Sequence, residues 1–350
     1  MQNILVVGGN GFIGSAVCKA ALARGMRVTS LSSSGRPFRT PKGHSPAWTE
    51  RVQWCAGDAL RPHDYTRLLD GKTAVVHTLG VLFESGSSEG GYKQALRRSD
   101  PLAFAGAVIS GVSSSIFGGG RNPLDEGGGE YERINRGSAL TVCSTFTTSA
   151  PPETTQQQQG RRRSFIYLSA EDIFRPVVPS RYIETKRDAE RGIAGMLSDK
   201  PDLRSVFVRP SLVYHSHFRP LTTPIATLLD LSATVHRSVP DDVPTPATIL
   251  RAISSSSSAS RKSSPDDNQA DLTPGSLAPS PLSSIANALT VPPIHVDHVA
   301  EAIIHAIEDD SIEGVLDVHR MREVIGWVDK GRGVDRSGQS SGDKTVHERS

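Results

Sequence analysis

The chain has 350 residues, 39 Lys and Arg against 37 Asp and Glu, and a formal net charge of +2. No apolar run is long enough for a membrane-spanning helix, and the near-neutral balance argues against a nucleic-acid binder working through a broad basic surface. Cys18, Cys55 and Cys143 lie far apart and outside any CxxC spacing, which excludes a disulfide scaffold and a cysteine zinc site and suggests a reducing compartment.

Asn3 to Val7 (NILVV) is a β-branched run that predicts a buried parallel strand. Gly8-Gly9-Asn10-Gly11-Phe12-Ile13-Gly14 follows, then an amphipathic helix through about Arg24, with Gly25 at its C-terminal cap. A second strand is predicted at Arg27 to Leu31. Gly8 suits a tight turn, Gly11 a close backbone approach to a pyrophosphate, and Gly14 close helix–strand packing. The helix N-terminus then offers free N–H groups and a positive dipole to the phosphates. Strand, glycines, helix and second strand in this order form a specific dinucleotide-binding signal, with Asn10, Phe12 and Ile13 as further contacts.

After the second strand an NAD site usually carries a carboxylate for the ribose 2′-hydroxyl. This chain has Leu31-Ser32-Ser33-Ser34-Gly35-Arg36. Hydroxyls plus a cation, with Ser32 and Arg36 as the contacts, favour NADP(H) over NAD(H). No acid precedes Glu50, while Lys19, Arg24, Arg27, Arg36, Arg39 and Lys42 are basic. Such composition resembles a mitochondrial targeting segment. Because the fold is expected to start at residue 3, any import signal would be retained, with no cleavable presequence.

Val52 to Ala56 predicts a third strand, followed by Gly57 and Asp58, which would border the adenine. Ala74 to Thr78 predicts a fourth, with Leu79-Gly80 passing under the cofactor. His77, inside that apolar strand, reads as a core histidine. The stretches 84–129 and 151–163 read as loops, and Arg161 to Arg163 as solvated loop charges flanking a strand. Phe165 to Leu168 predicts the next strand, ending in Ser169. Thirteen residues on comes Tyr182, with Lys186 on the same helix face at i+4. A lysine cation beside a phenol lowers its pKa for proton exchange with a carbonyl or alcohol, and a serine hydroxyl orients the substrate oxygen. Asn135, in Tyr131-Glu132-Arg133-Ile134-Asn135, is a further candidate near the lysine.

Val208 to Tyr214 (VRPSLVY) leads from a sixth strand towards a substrate region, with Pro210 beside the cofactor. His295 and His298 precede a late helix over Ala302 to Ile307. They read as structural residues of this segment, so no metal is expected. The segment 254–284 holds twelve Ser and four Pro; it cannot bury enough apolar surface to offset ordering entropy and is expected to be disordered, as is the tail 331–350. The expected architecture is an α/β, Rossmann-type doubly wound parallel sheet over 1–214, then a small C-terminal substrate lobe over 215–330.

GGNGFIG, VQWCAGD, AVVHTLGVLFE, GYKQAL, RNPL, RSFIYLSAEDIF, PSRYIETKRDAE and VFVRPSLVY together resemble the extended or atypical short-chain dehydrogenase/reductase proteins. The nearest resemblance is to the fungal mitochondrial family of coenzyme Q (ubiquinone) biosynthesis, itself related to the nucleotide-binding accessory subunit of respiratory complex I. It covers roughly residues 3–214. It implies a peripheral protein on the matrix side of the inner membrane, associated with the coenzyme Q biosynthetic complex, with no chemical step firmly assigned. The family often has Arg where this chain has Ser33, with Arg36 as the possible substitute. Three readings stay open: an NAD(P)(H)-binding accessory or regulatory member of that complex, an oxidoreductase acting on a quinone or polyprenyl-phenol intermediate through Ser169, Tyr182 and Lys186, and an epimerase or reductase of an unrelated small molecule.

Overall fold

A computed structural model describes residues 1–80, 129–152, 160–173, 178–215, 244–259 and 281–327, with scattered positions between 227 and 239. Its centre is a seven-stranded sheet built from β1 (Asn3–Val7), β2 (Arg27–Ser32), β3 (Gln53–Ala56), β4 (Ala74–His77), β5 (Arg163–Leu168), β6 (Leu203–Arg209) and β9 (Gly314–Asp317). The order is β3-β2-β1-β4-β5-β6-β9 and every pairing is parallel. A second sheet pairs β7 (Val213–Tyr214) with β8 (Ile294–His295). The strand order reverses between β1 and β4, which is where open α/β sheets form their binding crevice.

The central strands carry apolar side chains on both faces because helices cover both. Ile4 and Val6 of β1, with Val76, Ile166 and Val206, face α1 (Phe12–Ala23) and the late helix Val296–Glu308. Leu5 and Val7, with Val75, Phe165 and Tyr167, face the helices Ser138–Thr148 and Ser180–Leu197. A one-residue slip of any of these strands would exchange the two sets.

The first four strands and α1 fall where the sequence places them, and Gly25 takes φ +73 just past the helix. Three expectations need correction. Arg161 and Arg162 do lie in the loop before the strand, with Arg161 exposed, but Arg163 is not a solvated loop charge. Arg163 opens β5, is buried, and donates to the Lys72 carbonyl (3.0 Å) and the Ser149 hydroxyl (2.8 Å). Arg162 pairs with Glu313 at 2.8 Å, and Arg161 reaches the Ile307 and Glu308 carbonyls. Secondly, the chain after 290 does not stand apart as a lobe: β9 completes the main sheet beside β6, and Val296–Glu308 packs along α1. Thirdly, the serine run 254–258 is helical, as the end of the helix Pro246–Ala259. A helix already nucleated by the preceding apolar residues gains one hydrogen bond per added residue, and serine's propensity cost is too small to stop it. Residues 260–280 and 331–350, most of 84–129, and 153–159 lie outside the described residues.

Candidate functional site

Because the main-sheet strands are parallel, Ser32 at the end of β2 and Gly8, Leu79, Ser169 and Pro210 just past the carboxyl ends of their strands share one edge of the sheet. Gly8 turns the chain with φ +87, a left-handed value glycine adopts without strain. Its N–H donates to the Leu31 carbonyl at 2.8 Å, and its carbonyl accepts from the Gly11 N–H at 2.9 Å. A Cβ on Gly14 would lie 2.2 Å from the Gly8 oxygen, so α1 could not start this close to the turn with any other residue there. A Cβ on Gly11 would meet that same oxygen at 3.2 Å. Gly9, missed as a site residue, is equally restricted: its Cβ would fall 2.4 Å from the Ser30 hydroxyl. The doubled glycine in GGNGFIG was the available signal.

Phe12, Ile13 and Gly14 form the first turn of α1, which has no side-chain cap and no acidic residue. The first turn of such a helix presents its N–H groups and the positive end of its dipole to an anion. Asn10 Nδ2 donates to the Ser34 hydroxyl at 3.2 Å, tying the glycine turn to the loop after β2. The Ser32 hydroxyl accepts from the Gly35 N–H at 3.2 Å. Arg36 is exposed at the rim. Asp58 folds into its own turn, accepting from the Leu60 N–H at 3.0 Å. These residues suit the phosphates and adenosine end of a dinucleotide: a backbone cradle that a Cβ would fill, and a cation beside the second strand.

The other half of the edge is built differently. Tyr182 and Lys186 share one face of Ser180–Leu197, with Lys186 Nζ 6.0 Å from the Tyr182 ring centroid. Lys186 is buried and donates to the carbonyls of Leu79 (3.1 Å) and Leu168 (2.9 Å). A Cβ on Gly80 would sit 2.9 Å from that Nζ and 3.4 Å from Asn135 Oδ1, so the glycine leaves room for both groups. Asn135 is fully buried within a π-helical stretch, Glu132–Gly137, and its carbonyl accepts from the Tyr167 hydroxyl at 2.7 Å. Such π-turns are frequent at functional sites.

Electrostatics here run against the simple expectation. Burial pushes Lys186 down to about 7, only partly opposed by Glu190, and desolvation pushes the Tyr182 phenol up to about 12. The phenol is therefore not activated by the lysine in this state. Ser169, also buried, accepts from Arg187 at 3.1 Å. Arg187 in turn donates to Glu190 (2.7 Å), which also accepts from Arg209 (Nε at 3.0 Å). Burial acts to raise the Glu190 carboxyl, but the Arg209 and Arg187 guanidiniums outweigh it and hold it below the usual range. This Arg187–Glu190–Arg209 cluster escaped the sequence reading, although Glu190 stands at i+4 from Lys186. The Pro210 carbonyl accepts from the Glu171 N–H at 2.9 Å, closing the loop after β6 onto that after β5. His77 is a core residue: it is fully buried, bonded to Ser138 at 3.1 Å, and pushed by burial down to about 3.

A glycine turn and uncapped helix at the switch point of a parallel sheet define a dinucleotide-binding α/β protein. Residues 4–94 match the model of the NAD dependent epimerase/dehydratase family. MIOREX complex component 2 of Saccharomyces cerevisiae is 35% identical over 220 residues, covering 62% of this chain and 74% of the yeast protein. An uncharacterized chloroplastic protein of Arabidopsis thaliana is 24% identical over 324 residues, 92% of this chain and 77% of that one. Among solved structures, a short-chain dehydrogenase/reductase family oxidoreductase from Burkholderia thailandensis aligns with a TM-score of 0.48 at 12% identity, covering 91% of this chain and 90% of that one. The chain belongs to one family with the yeast MIOREX complex component 2, and the epimerase/dehydratase match covers its first strands and glycine turn.

Proposed function

We propose that this protein is an NAD(P)(H)-binding accessory member of a mitochondrial assembly, supporting coenzyme Q biosynthesis by sensing nucleotide or stabilising its partner enzymes. One observation carries the reading: the two halves of the edge differ in readiness. The glycine turn is fully formed, while Ser169 is held by Arg187 and Lys186 by two backbone carbonyls. Gly8, Gly11, Gly14, Asn10, Phe12 and Ile13 would hold the phosphates, Asp58 the adenine side, and Ser32 with Arg36 a ribose 2′-phosphate. Leu79, Gly80, Tyr182, Lys186 and Pro210 would line the nicotinamide end. When bound, the nicotinamide supplies a two-electron hydride exchange. Membership of an assembly rests on the name of the yeast relative, and the mitochondrial, inner-membrane setting and the coenzyme Q role rest on the motif resemblance. No described helix is long and apolar enough to cross a membrane, so peripheral attachment is the form proposed.

A second reading is favoured by the shared face of Tyr182 and Lys186. Here the protein is an oxidoreductase on a quinone or polyprenyl-phenol intermediate, in which Tyr182 exchanges the proton, Ser169 orients the oxygen and Asn135 supports the lysine. Complementation of a deletion strain, read out as quinone profiles, separates the two. On the accessory reading Tyr182→Phe restores coenzyme Q and Gly11→Asp does not. Loss of coenzyme Q with folded Tyr182→Phe overturns that reading, and unchanged quinones in the deletion strain remove the pathway.

A further inference from the structure

The histidines before the late helix are not used by the nucleotide reading, and the fold changes their setting. The β7–β8 pairing puts Tyr214 opposite His295. The next residue, His215, therefore emerges beside His295, 80 residues away in the chain and out of reach of a spacing argument. Val296–Glu308 begins immediately after His295, so Asp297 falls in its first turn on the same side. One ligand atom from each of His215, His295 and Asp297 lies within 4.8 Å of the other two.

We propose that His215, His295 and Asp297 bind a divalent transition-metal ion of the imidazole-preferring class, zinc above all. Two imidazoles on one tetrahedral zinc, at Zn–N of about 2.0–2.1 Å, have ring centroids about 5 Å apart. The His215 and His295 centroids are 5.1 Å apart. Adjacent donor atoms on such an ion stand about 3.3 Å apart. His295 Nδ1 lies 3.8 Å from Asp297 Oδ2 and accepts the Asp297 backbone N–H at 3.2 Å as the helix cap, a bond that a metal on Nδ1 would replace; Asp297 is exposed and able to swing inward. The positive end of the helix dipole and the nearby Lys19 oppose a cation here, and the Asp297 carboxylate offsets them. The His298 ring packs beside His295 at 5.7 Å and against Trp327 at 4.9 Å. Two imidazoles and one carboxylate match zinc, iron, nickel or copper and not magnesium or calcium, which prefer all-oxygen sets. Three protein ligands leave a coordination position for water or a substrate oxygen. The inference is independent of the nucleotide reading, since none of its residues belongs to that site.

Isothermal titration of the tag-free full chain with zinc chloride, and separately with magnesium chloride, tests it. One zinc per chain is expected, with Kd in the micromolar range or tighter, and no measurable magnesium binding. His215→Ala and Asp297→Asn should each weaken zinc at least tenfold, and cobalt substitution should give visible absorption bands that disappear in the double variant. Thermal melts of the metal-free forms check folding. Should His215→Ala fail to fold, the exposed Asp297→Asn decides alone. The proposal is overturned if zinc does not bind, or if it binds undiminished in the variants, which would assign it to other histidines among the 11 of the chain.

Discussion

The glycine turn after β1 and the Ser169–Tyr182–Lys186 region sit on the same edge of one sheet, yet they are held by different forces. Around Gly14 the backbone of Gly8 and Gly9 fills the space, around Gly8 and Gly9 the Thr78, Leu79 and Ser30 side chains do, and the shape is fixed by what cannot be added. Around Lys186 the shape is fixed by bonds already made, to the Leu79 and Leu168 carbonyls, and around Ser169 by the bond from Arg187. The first kind of site is preorganised for any ligand that fits it. The second kind must exchange partners before it can act, and each exchange has an energy that a partner protein or a substrate would have to supply. That contrast makes nucleotide binding the robust property of the edge and proton transfer the conditional one.

Substitution of Gly14 would break the comparison at its strongest point. Gly14→Ala places a Cβ 2.2 Å from the Gly8 oxygen, so nucleotide binding, followed by fluorescence titration, should fall at least a hundredfold. Urea denaturation should show a loss of about 1–3 kcal/mol, the usual range for overpacking. Gly25→Ala supplies the control: it strains a glycine of positive φ but places its Cβ in open space, whereas Gly14 has no positive φ and only the close approach. It should cost about 1 kcal/mol and leave nucleotide affinity alone. Equal effects at the two positions would remove the argument from close approach.

The conditional half has a pH signature. An unfolded lysine keeps its proton to a pKa of about 10.4, whereas folded Lys186 releases it near 7. Between these values the unfolded chain binds the extra proton, so stability should rise with pH from about 7 towards about 10, by at most about 1.4 kcal/mol per pH unit. Lys72, which burial and Arg27 push down to about 8, acts in the same direction. The difference between wild type and Lys186→Met, measured by urea denaturation at pH 7 and pH 9, isolates the first. Parallel pH dependences would show that Lys186 keeps its charge in the fold.

The smallest effect concerns cofactor choice. Arg36→Ala should weaken NADPH about tenfold and leave NADH within about twofold, since one exposed cation contributes modestly. A uniform loss for both cofactors, or none for either, would withdraw the 2′-phosphate assignment.

Much of this edge can be read from the chain because its determinants are local. The GGNGFIG run, the β-branched strand before it and the helix after it lie within twenty-odd residues, and each supports the same turn. Tyr182 and Lys186 are likewise one helical turn apart. What could not be read is what the fold assembles from distance. Arg187 meets Ser169 across a strand–helix connection, and Arg209 joins them from the next strand. His215 meets His295 only because β7 and β8 pair. Arg161 and Arg162 read as unpartnered charge because their acceptors, the Ile307 and Glu308 carbonyls and the Glu313 carboxylate, stand some 150 residues downstream, and Arg163 because its own, Lys72 and Ser149, come from other elements upstream. Charge alone does not reveal its own partner.

The packing of α1 on Val296–Glu308 has a bearing on biosynthesis. Arg24 and Glu308, paired at 2.8 Å, are separated by 284 residues, and the apolar stripe of Val17, Ala21 and Leu22 is covered by a helix made long after it. During synthesis the first helix therefore waits, with its inner face uncovered, until the ribosome has passed residue 308. Contacts this distant in sequence slow folding, and uncovered apolar faces invite association with other chains. A truncation that ends before Val296 removes β9 as well and leaves the edge of β6 unpaired, so the shortened chain keeps the whole glycine turn and loses the helix packed along α1.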